Sequence, residues 1–119
     1  MRIDVLTLFP EMFSGYVGQS LLKRAIDARI VDVRLHNIRD WAQGKHKQVD
    51  DRPFGGGPGM VLRPDVVAAS IDAAALPPGR RLVLSASGRR LDQALLQELS
   101  AEPAVALVCG RYEGVDQRV

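Results

Sequence analysis

A chain of 119 residues is one domain's worth, and a domain of that size hides roughly two-thirds of the surface its unfolded form exposes, so a real core is possible. Apolar residues at 46% and charged residues at 25% exclude a disordered or low-complexity chain, and no apolar stretch approaches the ~20 residues that cross a bilayer. Net charge is only +2, yet thirteen of the sixteen basic residues are arginine, whose planar fork suits phosphates and guanine edges; a codon bias towards arginine accounts for the same count.

Residues 2–8 alternate and are rich in β-formers, which predicts a strand rather than a signal peptide and places the protein in the cytoplasm. Phe9-Pro10 closes it before the segment Glu11 to Tyr16. From Gln19 to Ala28, Leu21, Leu22, Ala25 and Ile26 fall at helical spacing, and Val31 to Leu35 returns to period two, completing a βαβ unit. Between Asn37 and Met60 the periodicity disappears, at a length that structureless loops in compact domains reach mainly when they are functional. Pro64-Asp65 opens a helix to about Leu76, which Pro77-Pro78-Gly79 ends. Arg81 to Ser85 is a further strand, Leu91 to Leu99 a helix, and Ala104 to Cys109 a last apolar strand. Helices alternating with near-continuous apolar strands predict an α/β fold with a parallel sheet flanked by helices, whose ligands bind where loops leave the carboxyl ends of the strands.

Two such loops are Ser85-Ala-Ser-Gly88 and Gly110-Arg-Tyr-Glu-Gly114. In the second, Tyr112 offers a flat face and Glu113 a carboxylate, a pair suited to a cationic ligand such as a sulfonium or a metal ion; an ordinary exposed turn reads the same way. The run Val49-Asp-Asp-Arg-Pro-Phe-Gly-Gly-Gly-Pro-Gly-Met60 sets four glycines beside two carboxylates and an arginine. Glycine lets backbone N–H groups approach an anion or a base edge, but the run is neither a Walker A loop nor a dinucleotide turn, and a plain surface loop stands as the alternative. Cys109 reads as a buried, inert thiol, and neither it nor the histidines has metal-finger spacing. His46, between Lys45 and Lys47, reads as a substrate contact or a solvated residue. Trp41 reads as packing its loop onto the domain, with base stacking the alternative.

Taken together, Leu8-Phe-Pro-Glu-Met-Phe13, the Val49–Met60 run and Val108-Cys-Gly-Arg-Tyr-Glu-Gly-Val-Asp-Gln-Arg-Val119 resemble the signature of the bacterial tRNA (guanine-N1)-methyltransferases of the SPOUT superfamily. The resemblance implies methyl transfer from S-adenosylmethionine to N1 of the tRNA guanine just 3′ of the anticodon, by a magnesium-assisted homodimer. Carried over by position, Leu84, Ser85, Ala86, Gly110, Tyr112 and Glu113 would contact the cofactor. Glu113 would also stand near magnesium or the target guanine and is the one catalytic assignment. His46, Asp50, Arg52, Pro58 and Gly59 would hold the target nucleotide. Ala86 stands where the family usually has proline, so that loop loses a rigid φ.

The same resemblance makes residues 1–119 an N-terminal SPOUT methyltransferase domain cut short, with the general base and a C-terminal tRNA-binding domain beyond it. The fold implied is of the trefoil-knot type with the knot incomplete, and the fragment alone is expected to be inactive. A non-catalytic RNA-binding or dimerisation module, and a nucleotide-binding α/β domain of unrelated chemistry, are the competing readings.

Overall fold

The structure is a computed structural model describing residues 1–53, 55–56 and 59–110. Strands β1 (Arg2–Thr7), β2 (Asp32–Asn37), β5 (Arg80–Val83) and β6 (Ala104–Val108) form one sheet in the order β2-β1-β6-β5, and every neighbouring pair is parallel. All four carboxyl ends therefore lie along one edge, which is where ligand loops belong in such a sheet. Helices α1 (Glu11–Val17), α2 (Ser20–Asp27), α3 (Pro64–Ala73) and α4 (Gln93–Ser100) make the connections, and strands β3 (Asp50–Asp51) and β4 (Val61–Leu62) pair as a separate antiparallel ribbon.

Local chemistry sets the boundaries. Arg63, extended as the residue before a proline must be, leads into Pro64 at the first position of α3, and Asp65 places a carboxylate in its first turn. The side chain of Asp92 accepts from the Leu95 amide at 2.9 Å, so α4 begins at Gln93 rather than at Leu91 as its apolar spacing predicts.

Alternation along the strands divides the core. On one face Leu6, Leu8 and Val108 meet Ile38, Ala42, Val49, Leu62, Val66 and Val67. On the other, Leu95 and Leu99 of α4 meet Val105, with Leu82 and Leu107 packed alongside. Hiding a side chain such as Leu6, Ile38 or Leu62, each fully buried, is worth roughly 1.5–3 kcal/mol.

The stretch from Asn37 to Met60, expected to lack structure, is ordered in good part. The Asn37 side chain accepts from the Arg39 amide and caps a 3-10 turn at Ile38–Trp41, and β3 and β4 close the excursion. Its contribution to the core is three separated residues, Ile38, Ala42 and Val49. Three residues at irregular spacing produce no period for a sequence pattern to show. Trp41 in that turn is half-buried, in keeping with a packing role.

Candidate active site

The cofactor loop expected after β5 and the one expected after β6 are neighbours in space. The Leu84 amide donates to the Val108 carbonyl at 3.0 Å, and the Cys109 amide to the Leu6 carbonyl at 2.9 Å, so Leu84 and Gly110 leave adjacent strands at the same edge. Ser85, Ala86 and Leu84 are exposed, and Gly110 is half-buried. The Ser85 hydroxyl accepts from the Ser87 amide at 3.2 Å and lies 3.0 Å from the Ser87 hydroxyl, which turns the loop back on itself. Beside this loop opens a groove of about 900 Å³ between α4 and the sheet, floored by Leu82, Leu95, Val105 and Leu107. An apolar groove meeting backbone and hydroxyl groups at a strand's carboxyl end is the setting in which a nucleoside-like body is held. Loop backbone and hydroxyls beside an apolar wall, with Arg80, Arg89 and Arg90 also lining the groove, form a donor set compatible with S-adenosylmethionine.

The positions expected to hold the target nucleotide lie on and around the β3–β4 ribbon. Asp50 pairs with Leu62 across the β3–β4 ribbon, and its carbonyl accepts from the Gln48 side chain at 3.0 Å. Val49 just before it is buried, and its carbonyl accepts from the Arg63 amide at 2.7 Å. His46, Arg52 and Gly59 are exposed, and Gly59 has φ +79°, a conformation that favours glycine. The ribbon reaches the sheet through one apolar cluster, in which Val49 and Leu62 pack with Leu8 and Val108, the residues at the ends of β1 and β6. Packing thus holds the β3–β4 ribbon against the same sheet edge from which the loops after β5 and β6 leave.

Pro58, Tyr112 and Glu113 lie outside the described residues. Among the described residues no three His, Cys, Asp or Glu side chains gather as a metal site. Burial pushes the Cys109 thiol up, keeping it protonated at neutral pH and poor as a nucleophile. Hydrogen bonding to Asp65 raises the Arg63 guanidinium, with a smaller contribution from the nearby charge of Asp51, so the ribbon's second strand leads directly into a fixed cation.

One cluster escaped the sequence reading. Asp4 is buried in β1, bonded twice by the Arg2 guanidinium at 2.8 and 3.0 Å and standing 2.7 Å from His36 Nε2. A lone carboxylate inside an otherwise apolar strand, two residues after an arginine, was the available signal.

This architecture, a parallel sheet with helices on its faces and two loop systems meeting at one carboxyl edge, is that of the SPOUT-type α/β domains. The sequence model described as "tRNA (Guanine-1)-methyltransferase TrmD" matches residues 1–119, and the chain belongs to that family. A tRNA (guanine-N(1)-)-methyltransferase of Rhodopirellula baltica is 53% identical over 123 residues, covering 100% of this chain and 51% of the relative. One of Rhodopseudomonas palustris is 57% identical over 119 residues, covering 99% of this chain and 47% of the relative. The crystal structure of the tRNA (m1G37) methyltransferase from Aquifex aeolicus superposes with a TM-score of 0.87 at 38% identity, over 100% of this chain and 55% of that one. The chain spans about half the length of the curated relatives it matches. Among the described residues, no helix is long and apolar enough to cross a membrane.

Proposed function

We propose that this chain supplies the first cofactor loops and the target-nucleotide loop of an enzyme that methylates N1 of the tRNA guanine 3′ of the anticodon. The observation that carries the reading is the adjacency of Leu84 and Gly110 at one sheet edge, with the apolar groove beside them and the Asp50 ribbon packed on the same edge. The names of the relatives support the reaction, and their lengths support a complete enzyme that extends beyond the residues present here.

Guanine N1 carries a proton at neutral pH, so transfer requires a base to take that proton and a clamp to align the nitrogen with the methyl carbon. S-adenosylmethionine, when bound, supplies an electrophilic methyl on a sulfonium. In this reading Leu84, Ser85, Ala86 and Gly110 hold the cofactor largely through backbone, joined by Tyr112 and Glu113. His46, Asp50, Arg52, Pro58 and Gly59 hold and orient the guanine nucleotide. Glu113 serves the reacting centre, with magnesium as its partner, and the general base lies in the further half. The complete protein is proposed to be a cytoplasmic homodimer with a C-terminal tRNA-binding domain and with its trefoil threading completed beyond residue 119.

Titrating the labelled chain with S-adenosylmethionine in NMR tests the cofactor half of this reading. Weak binding with shifts centred on Leu84–Ala86, Gly110, Tyr112 and Glu113 and on the groove beside them is expected. Shifts produced equally by inorganic phosphate, or confined to Asp50–Gly59, would assign the edge to different chemistry.

A further inference from the structure

The target-nucleotide loop carries a turn that its own sequence does not stabilise. Residues 43–48 are exposed, flanked by Ala42 and Val49, which are buried in the core. Within that span Gly44 has φ +88° and Lys47 φ +46°, and the Lys47 amide reaches the Gly44 carbonyl at only 3.3 Å. A lysine in the left-handed region is a costly choice that persists when the surroundings hold it there.

The hold comes from outside the turn. Arg39 Nη1 donates to the Lys47 carbonyl at 3.1 Å across eight residues. The base of Arg39 is itself fixed: its amide donates to the Asn37 side chain at 3.0 Å, its carbonyl accepts from the Ala42 amide at 3.0 Å, and Ile38 beside it is fully buried. The 3-10 turn that carries it packs against α3. A rigid base and a long, planar donor make a strut between the core and the outermost carbonyl of the turn.

Resting on the substrate reading above, we propose that Arg39 is a positioning residue: it clamps the Gly44–Lys47 turn and thereby sets where His46 stands relative to Asp50 as the RNA arrives. The guanidinium acts through the backbone of Lys47. Its function is geometric, and its charge alone does not replace it.

The test uses a protease that cuts after lysine, because Lys45 and Lys47 lie in the turn and Lys23, in α2, is an internal control. Arg39→Ala is expected to speed cleavage after Lys45 and Lys47 severalfold, up to about tenfold, with cleavage after Lys23 unchanged. Arg39→Lys, which keeps a donor of similar reach, is expected to restore much of the resistance. In parallel, with the chain joined after Val119 to the remaining sequence of the Rhodopirellula baltica relative, affinity for an anticodon stem-loop RNA carrying the target guanine is expected to fall severalfold in Arg39→Ala and to recover in Arg39→Lys.

Unchanged cleavage after Lys45 and Lys47 in Arg39→Ala overturns the clamp whatever the RNA result, including the case where Arg39 touches phosphate directly. A turn that opens with no change in RNA affinity overturns its link to the substrate. Failure of the parent chain to bind the RNA even when joined to the second half of the Rhodopirellula baltica relative overturns the substrate reading itself, and that failure is visible before any variant is made.

Discussion

His36 and Asp4, on neighbouring parallel strands, stand 2.7 Å apart, and Arg2 donates to both oxygens of the same carboxylate. Burial pushes the Asp4 carboxyl up, but the hydrogen bonds from Arg2 and His36 and the charge of Arg2 outweigh it, and the net shift is downward. A depressed folded pKa contributes stability above the unfolded value, about 3.9, and that contribution is lost as pH falls through the lower folded value. Asp4→Asn should therefore cost about 1–3 kcal/mol at neutral pH, and the gap from the parent should close in strong acid. Urea unfolding at stepped pH measures this; a gap that stays constant below pH 4 contradicts the assigned cause.

Gly79→Ala should destabilise the sheet, because a Cβ there would stand 2.2 Å from the Ala104 carbonyl oxygen at the start of β6. Backbone must shift to admit it, at about 1–3 kcal/mol. Gly15→Ala is the matched control: it lies within α1 with nothing within 4 Å, and alanine favours a helix by about 0.5–1 kcal/mol. Thermal melts of the two variants should move in opposite directions.

Leu62→Ala removes a fully buried side chain that joins the Asp50 ribbon to the ends of β1 and β6. A loss of about 2–5 kcal/mol is expected. Leu96, 45% exposed on α4, offers the contrast, since its truncation should cost well under half as much in the same denaturant series.

The parallel sheet was legible because β6 buries a continuous apolar run, β1 alternates and is rich in β-formers, and Pro64 and Pro77-Pro78 mark where α3 must begin and where the chain turns away. Adjacency of the loops after β5 and β6 followed from the motifs only through the resemblance, since nothing local tells Leu84 that Val108 is its neighbour. The order in residues 37–60 was hidden for a different reason: a 3-10 turn, a two-residue ribbon and isolated core contacts at Ile38 and Val49 leave no periodicity. Arg39 was equally invisible, because its partner is a backbone carbonyl eight residues away.

In a full-length version, Gly59→Ala places a side chain at φ +79°. The cost should be local, about 1–3 kcal/mol of backbone strain, and should appear as weaker tRNA binding with little change in the global unfolding midpoint. RNA titration and urea unfolding on the same samples separate the two; a midpoint that falls as far as in Leu62→Ala would move Gly59 from the binding loop into the fold's foundations.

The methyl-transfer reading is tested most directly by joining the chain to the second half of a relative and identifying the product. The chain would be joined after Val119 to the remaining sequence of the Rhodopirellula baltica relative, with which it shares 53% identity over the aligned part. Labelled S-adenosylmethionine and tRNA would be incubated with this chimera and with the chain alone, and the tRNA digested to nucleosides. We predict N1-methylguanosine from the guanine 3′ of the anticodon with the chimera and none with the chain alone. A folded, tRNA-binding chimera that yields no N1-methylguanosine, or that puts its label on another nucleoside, would contradict the account.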